Sequence, residues 1–483
     1  MNPIPGVNVA VVNGNIGGSL ATSDGNVGQV LTGAGTGPIA LLQPVVFVSL
    51  ADAEAQGLTA AAEPEAHQFV VDFYNDAPLG AILYLMLVAN TTSLVSIADK
   101  TNASGAVKLI NFAIGNANGQ IRVLGISRTP GSGYTPSTVE FIDSDARLAG
   151  ANAQALVANY FALHTPLRVL IGARVAAPGN STIYAPNSAG LNGVGFTIGS
   201  ADNGAVAAAI TTPGTTYVNG TYNNVPAVNI TGKGSGATFK VVVTGGAITA
   251  VTPVLPGTGY NTGDTFGFAS GFDTGTATNF VGTVTSGYSL GSAGMGTILA
   301  EVASKAPQEN IGKVKSGALS VNNWYIGALP IKQPADGVSP WYQTINTLIG
   351  AGYITATSYA GKPGYYLTDD PMATAITDDY QSLANCRVID KASILAYQAF
   401  LNYVNDDVEL VAGGTMDPAD IVDIQSTIVN ALAQGLLGNI SGTPLCTIDP
   451  TQVFTVGTPF KASVRVTPKG YLKQINITLG FTF

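Results

Sequence analysis

The last 23 residues, 461–483, constrain the chain most: two alternating strands meet at Thr467-Pro468-Lys469-Gly470, and the sequence closes on apolar side chains. Ala462, Val464 and Val466 share one face of the first strand, and Ile475, Ile477, Leu479, Phe481 and Phe483 share one face of the second. Pro468 fixes φ and Gly470 permits a turn conformation, so the pattern predicts a terminal hairpin whose last strand is buried. The N-terminal stretch mirrors it. After Pro5-Gly6, Val7, Val9 and Val11 alternate with their neighbours until Asn13-Gly14 breaks the strand. Two strands at two ends present open edges, which are either covered within the chain or paired with another chain.

Composition narrows the partners. Only 10% of residues are charged, 59 are glycine, and mean hydropathy is +0.30. A surface so poor in charge is expected where much of it faces other protein, or on a weakly charged extracellular β protein. The net charge of −9 comes without a basic block, which argues against nucleic acid and suits a cationic protein partner. The residues Met1-Asn2-Pro3-Ile4-Pro5 carry neither a positive n-region nor an apolar h-region, so synthesis in the cytoplasm is expected. The apolar run 79–88 is far short of the roughly 20 residues that span a bilayer, and direct membrane insertion is not expected. Cys386 and Cys446 lie in unrelated contexts and are read as reduced thiols.

At 483 residues the chain exceeds a single core, and two to four domains are expected. Residues 40–90 read as strand, helix, helix, strand. Ser49 and Asp52 form a capping-box-like start to a helix through Ala55, and a second helix after Pro64 carries Phe69, Val70 and Phe73. Residues 122–126 and 167–171 read as buried strands around a helix over 146–163. Strands alternating with helices predict an α/β core. The stretch 202–279 changes character, being rich in Gly, Thr, Val and Asn with only Asp202, Lys233, Lys240, Asp264 and Asp273 charged. A turn repeats in it, Pro213-Gly214-Thr215-Thr216-Tyr217 and Pro256-Gly257-Thr258-Gly259-Tyr260, with a shorter echo at Pro130-Gly131-Ser132-Gly133-Tyr134. Residues 239–251 read as a hairpin about Gly245-Gly246. These features predict a small all-β module inserted in the α/β body, which resumes with a strand over 282–290 and a helix over 297–304. Further on, Asp390 is read as preceding a helix with Ile394, Tyr397, Leu401 and Val404. Asp417-Pro418-Ala419-Asp420 starts another with Ile421, Ile424, Ile428 and Leu432 on its stripe, ended by Gly435.

Chemistry is sparse. His67 and His164 lie in no motif and are read as structural. Asp369-Asp370 and Asp378-Asp379 are read as caps of turns and helices, with a divalent-cation site as the alternative. The run Gly291-Ser292-Ala293-Gly294-Met295-Gly296 has the setting of a phosphate cradle but neither a P-loop ending nor the dinucleotide glycine order, so close backbone packing is the simpler account. No catalytic residue, cofactor site or metal site is assigned.

Residues 378–483 resemble the C-terminal domain of contractile tail sheath proteins. The residues that carry the resemblance are Asp379-Tyr380, Arg387-Val388-Ile389-Asp390 read as a strand end, Asp417-Pro418-Ala419-Asp420, Val464 through Gly470, and Ile475 through Phe481. Agreement extends loosely to the N-terminal strand and to 45–88, while 202–279 has no counterpart. The resemblance implies an α+β and α/β multidomain chain. Its parts are an arm (1–20), a mixed-sheet sheath core in two pieces (21–201 and 281–365), an inserted all-β module (202–280) that points outward, and a C-terminal domain (366–483). It implies a structural subunit, not an enzyme, that polymerises as stacked rings around an inner tube, with baseplate and tail terminator proteins as further partners. Assembly would place it in a virion tail or injection particle. Each subunit would donate Val7, Val9 and Val11, and Ile475, Ile477, Leu479 and Phe481, as strands to neighbours, with Gly14, Gly17 and Gly18 as a hinge. Asp420 and Asp423 would face the tube, unless theirs is an ordinary solvated helix face. Two other readings stand beside this one. An adhesin or carbohydrate-binding protein would use Tyr217, Tyr222 and Tyr260 of the module, and a nucleotide-dependent enzyme would use 291–296.

Overall fold

The strand β1 (Val27–Gly33) is buried along nearly its whole length, as are β3 (Leu83–Ala89), β4 (Val123–Ile126), β5 (Arg168–Ala173) and β6 (Val194–Ile198). Strands apolar on both faces belong in a parallel sheet covered on both sides, and that is where these lie. A computed structural model describes residues 23–483 apart from 36, 60–61, 130–133, 135, 138, 178–179, 202–206, 233–236, 256–259, 261–262, 269–272, 287–293, 322, 328, 332–336, 454–459, 474 and 480–483. In it β1 pairs in parallel with both β3 and β4, and the sheet runs on through β5 and β6 to a short parallel strand, Tyr353–Ile354. The strand β2 (Val45–Phe47) closes the other edge antiparallel to β3.

The crossovers are the helices that the apolar spacing predicts. In α1 (Leu50–Ala55) the Ser49 hydroxyl accepts from Asp52 N at 3.1 Å, and in α2 (Pro64–Asp76) Phe69, Val70 and Phe73 are buried. Three more follow: α3 (Leu94–Ala98), α4 (Ala106–Ile114) and α5 (Ser144–Ala162), the last capped by Asp143. Helix α6 (Met295–Ser304) packs on α2, and α7 (Pro340–Ala351) leads into the strand at 353. The expected α/β core is therefore present, in a mixed α+β chain.

A second sheet has its own core. Six strands run in the order β11 to β10 to β9 to β12 to β14 to β7, all neighbours antiparallel, with β7 (Ala207–Thr212), β9 (Gly220–Asn229), β10 (Thr238–Thr244), β11 (Ala247–Leu255), β12 (Thr265–Phe268) and β14 (Val281–Ser286). A small ladder, β8 (Thr215–Tyr217) with β13 (Asp273–Thr278), flanks it. Gly245 and Gly246 both take positive φ, 63° and 79°, which is what a tight hairpin between β10 and β11 needs. Phe239 stacks on Phe266 at 4.4 Å and Phe268 on Phe280 at 4.9 Å, and Val284 is fully buried beside them. Val284 also explains a correction. The strand at 281–286, expected to rejoin the α/β body, belongs to the second sheet because its inward side chain completes the phenylalanine cluster.

The C-terminal part brings two further corrections. Helix α8 (Leu383–Leu401) starts seven residues before Asp390 (390 minus 383), so Arg387-Val388-Ile389-Asp390 is helical and not a strand end. Its start is fixed from outside: Asp370 accepts from Ala384 N at 2.9 Å and from Ser382 Oγ at 2.8 Å. Among the described residues the terminal hairpin is not formed. Ala462–Arg465 pairs antiparallel with Leu445–Ile448, and Pro468 bridges to Ile440, which turns the chain away. Residues 471–473 and 475–479 are in no strand. Helix α9 (Pro418–Gly435) matches expectation, with Asp417 accepting from Ala419 N at 2.7 Å and Ile421, Ile424, Ile428 and Leu432 buried.

Helix α8 takes part in two apolar clusters. Leu383 and Cys386 belong to the core of the parallel sheet, and Ala392 and Ala399 to a small cluster with α9 and the 445–448 ladder. At the join, Arg168 on β5 donates from Nε at 2.7 Å and from Nη2 at 2.5 Å to the two carboxylate oxygens of Asp390. Both side chains are over nine-tenths buried. Removing one partner of such a pair strands the other, so Arg168→Met or Asp390→Asn should cost about 3–5 kcal/mol. The double change Arg168→Met with Asp390→Leu should recover most of it. Urea midpoints of the three variants check this, and single variants as stable as the wild type would refute it.

Candidate assembly interface

The open crevice of a doubly wound sheet lies at the carboxyl ends of the strands where the strand order reverses, here between β1 and β4. The chain's own side chains fill it. The Glu63 carboxylate accepts from Ala34 N at 2.8 Å and Gly35 N at 2.5 Å, the position an anionic ligand would take in the loop after β1. Gln29 Nε2 donates to Ser127 Oγ at 2.8 Å, Thr32 and Thr129 bond each other, and Arg128 pairs with Asp145 at 2.7 Å. Glu63 also explains Gly33, where a Cβ would lie 2.8 Å from its carboxylate.

The other candidate sites resolve as packing. Gly294 has φ 62°, and a Cβ there would lie 2.3 Å from the Trp324 ring; one on Gly296 would lie 2.6 Å from Phe69 O. Close backbone approach accounts for both, and 291–293 lie outside the described residues. Tyr260 is buried, Tyr217 Oη accepts from Phe280 N at 3.0 Å, and Tyr222 Oη donates to Val218 O at 3.0 Å. None of the three is a free stacking platform for a sugar. His67 pairs with Glu54 at 2.9 Å, and His164, at φ 58°, stacks on Tyr397 at 3.8 Å. Cys386 and Cys446 are free and buried.

The surface that remains is the C-terminal segment. Leu472 is 89% exposed, Ile475 69%, Ile477 75% and Leu479 90%. The alternation seen in the sequence thus leaves its apolar side chains in solvent, a row that an isolated chain has no reason to present. Nearby, the two-stranded ladder of 445–448 with 462–465 gains no further strand among the described residues. Val7, Val9, Val11 and Phe481 lie outside the described residues. On α9, Asp423 is exposed, while Asp420 is half-buried and accepts from Glu409 N at 2.8 Å. No helix of the described residues is long and apolar enough to cross a membrane.

One member of each acidic pair, Asp370 and Asp378, acts as a cap, and metal-ligating clusters are absent among the described residues. Asp378 accepts from Tyr380 N at 2.8 Å, and Asp370, fully buried, accepts from Asn310 Nδ2 at 2.7 Å as well as from the start of α8. Burial, reinforced by the neighbouring Asp369 carboxylate, pushes Asp370 up to about 7. A carboxyl raised above its unfolded value binds its proton more tightly in the fold. Its stabilising effect is complete below about pH 4 and is lost as pH rises toward 7. Asp370→Asn should therefore flatten the fall in stability over that window, measured as thermal midpoints at pH 4.5, 6 and 7.5. An unchanged slope would refute the assignment.

Comparison with known proteins bears on this surface. Residues 379–483 match the family described as DUF2586, C-terminal domain. No curated protein matches the sequence. Among solved structures, the chain is similar to one in the cryo-EM structure of the anti-feeding prophage (AFP) baseplate, 6-fold symmetrised. The two are 11% identical, all of each chain is covered, and the TM-score is 0.50. It is also similar to the AFP helical sheath in contracted state (11% identity, 100% and 99% covered, TM-score 0.47). A third is the PVC sheath complex of an extracellular contractile injection system in contracted state (9% identity, 99% and 98% covered, TM-score 0.48). The first of these carries the comparison of folds, and none is named for an enzyme. The fold of this chain is similar to that of a chain of the AFP baseplate.

Proposed function

We propose that this chain is a structural subunit of a contractile sheath, not an enzyme, which polymerises with itself around an inner tube and contracts to drive the tube through a target envelope. The observation that supports the reading is the exposed row Leu472, Ile475, Ile477 and Leu479 on a segment that is in no strand among the described residues. The fold shared with a baseplate chain supports the class of assembly. Donated to a neighbour, the segment would pair its backbone, each bond worth about 0.5–1.5 kcal/mol net. Burial of each large apolar side chain would add about 1.5–3 kcal/mol. The apolar row therefore supplies more than the ladder does, and the edges of the 445–448 ladder are the proposed acceptor. Residues 7–11 would be donated in the same way at the other end.

The second sheet, with its separate core, is proposed as an inserted module spanning 207–286, facing outward and dispensable for the lattice. Asp423 on α9 is proposed to face a basic tube surface, with Asp420 held beside it by Glu409. Baseplate and tail terminator proteins would bound the lattice, and the subunit would be made in the host cytoplasm before assembly into the tail or injection particle. A metastable extended lattice, held by a kinetic barrier, would contract on release.

Negative-stain electron microscopy of the purified full-length chain should show hollow tubules with helical striations. Removing residues 1–14 or 471–483 should abolish them while far-ultraviolet circular dichroism stays as in the full chain. Ordinary tubules from either truncation would sink the donation reading, and discrete monomers from the full-length chain would sink the sheath reading.

A further inference from the structure

An amine, a carboxylate and a carboxamide converge beside α8, each from a different part of the chain. Lys391 Nζ, on α8, lies 2.7 Å from Asp24 Oδ2 and 3.2 Å from Asn439 Oδ1. Asn439 follows α9, 48 positions along the chain from Lys391, and is buried. Lys391 and Asp24 keep 25% and 22% of their side-chain surface. Asn439 Nδ2 donates at 2.5 Å to Gln308 Oε1 and its backbone N–H donates to Leu436 O, so the carboxamide is held from both ends. Arg387 lies one turn before Lys391. It is buried, its Nη2 donates to Asp24 O at 3.1 Å and to Lys305 O at 3.0 Å, and its Nε and Nη1 have no partner among the described residues.

An ion pair between Lys391 and Asp24 needs neither a carboxamide against the amine nor a second cation a turn away. Amide exchange needs all of these groups. It takes a nucleophilic amine, a carboxylate to carry protons, a carbonyl carbon within reach, positive charge near the developing oxyanion and an acceptor for the departing amine. Oδ1 is bonded to Cγ, so Lys391 Nζ already sits against the carbon it would attack, and the fold holds it there without a bimolecular encounter.

We propose that Lys391 and Asn439 join in an intramolecular isopeptide bond, with Asp24 as the proton carrier. Lys391 Nζ gives a proton to Asp24 and attacks Asn439 Cγ, which forms the new C–N bond. A second proton passes from Nζ to Nδ2, the Cγ–Nδ2 bond breaks, and ammonia leaves with the proton that Asp24 held. The products are a secondary amide and an ammonium ion. Nothing is oxidised or reduced, and no water is consumed. Arg387 contributes positive charge to the tetrahedral oxyanion from one turn away, and Gln308 Oε1 holds Nδ2 as it becomes the leaving amine. The bond ties α8 covalently to the end of α9. Cys386 and Cys446 are free and buried, so this cross-tie is one that a reducing environment leaves intact.

Mass spectrometry of the purified full-length chain under denaturing conditions tests this, since it reads the covalent state whatever the chain assembles into. The intact mass should lie below the sequence mass by one ammonia. Cleavage before aspartate should leave peptide 390–405 joined to peptide 423–448, and trypsin should fail to cut after Lys391. Lys391→Met and Asn439→Ala should each return the full mass of their own sequence. Asp24→Asn, which keeps the amine and the carboxamide, should slow the reaction roughly 10²–10⁴-fold in a time course after synthesis. Asn-Gly pairs such as Asn118-Gly119 also lose ammonia when they close to a succinimide, but that ring opens in mild alkali and joins no peptides. A wild-type chain at its full sequence mass would overturn the proposal, and so would an ammonia loss that vanishes in alkali with peptides 390–405 and 423–448 separate. An Asp24→Asn chain that links as fast as the wild type would overturn the role of Asp24. Tubules from an unlinked chain would keep the sheath reading and remove the cross-tie, and a linked chain that stays monomeric would do the reverse.

Discussion

The fold turns on the buried pair between Arg168 and Asp390. A guanidinium on the central sheet and a carboxylate in the middle of α8 face each other with two bonds of 2.5 and 2.7 Å, shut away from water. In that setting each charge is tolerable only because of the other. The pair therefore fixes both the rotation and the axial position of α8 against the strands. Everything C-terminal depends on it, since α9 and the 445–448 ladder pack on the far half of that helix. Arg387 and Lys391, within a turn of Asp390, both bond Asp24, and their placement follows from the same registration.

The body here is stiff for ordinary reasons: parallel strands buried on both faces, helices capped by Ser49, Asp143, Asp370 and Asp417, and a switch-point crevice sealed by Glu63. At the crevice, the amides of Ala34 and Gly35, which could hold a phosphate, are already satisfied by Glu63.

Much of the fold is legible in the sequence. The strands at 83–89, 123–126 and 168–173 follow from apolar runs, and α2, α5 and α9 follow from 3.6-residue spacing with recognisable caps. The β10–β11 hairpin follows from Gly245-Gly246. What failed was pairing. Residues 462–466 and 475–483 alternate in phase and flank a Pro-Lys-Gly turn, yet the first strand takes 445–448 as its partner. Alternation specifies that a strand has a buried face and says nothing of which strand lies beside it. The start of α8 failed for a related reason, because its cap is the side chain of Asp370, distant in the sequence from the helix it closes.

The sequence by itself determined most of the elements and their apolar faces, including the alternating apolar row Ile475, Ile477 and Leu479. It did so because such patterns are set by local geometry, two residues per repeat in a strand and 3.6 in a helix. Only the tertiary structure decided that this row is left in solvent, that Glu63 closes the crevice, and that Asp24 and Asn439 meet at Lys391 of α8. Those depend on contacts between residues tens to hundreds of positions apart, such as Arg387 with Asp24 O and Lys473 with Asp369. No local pattern encodes them, because the free energy that selects them arises only when the distant groups are already desolvated together.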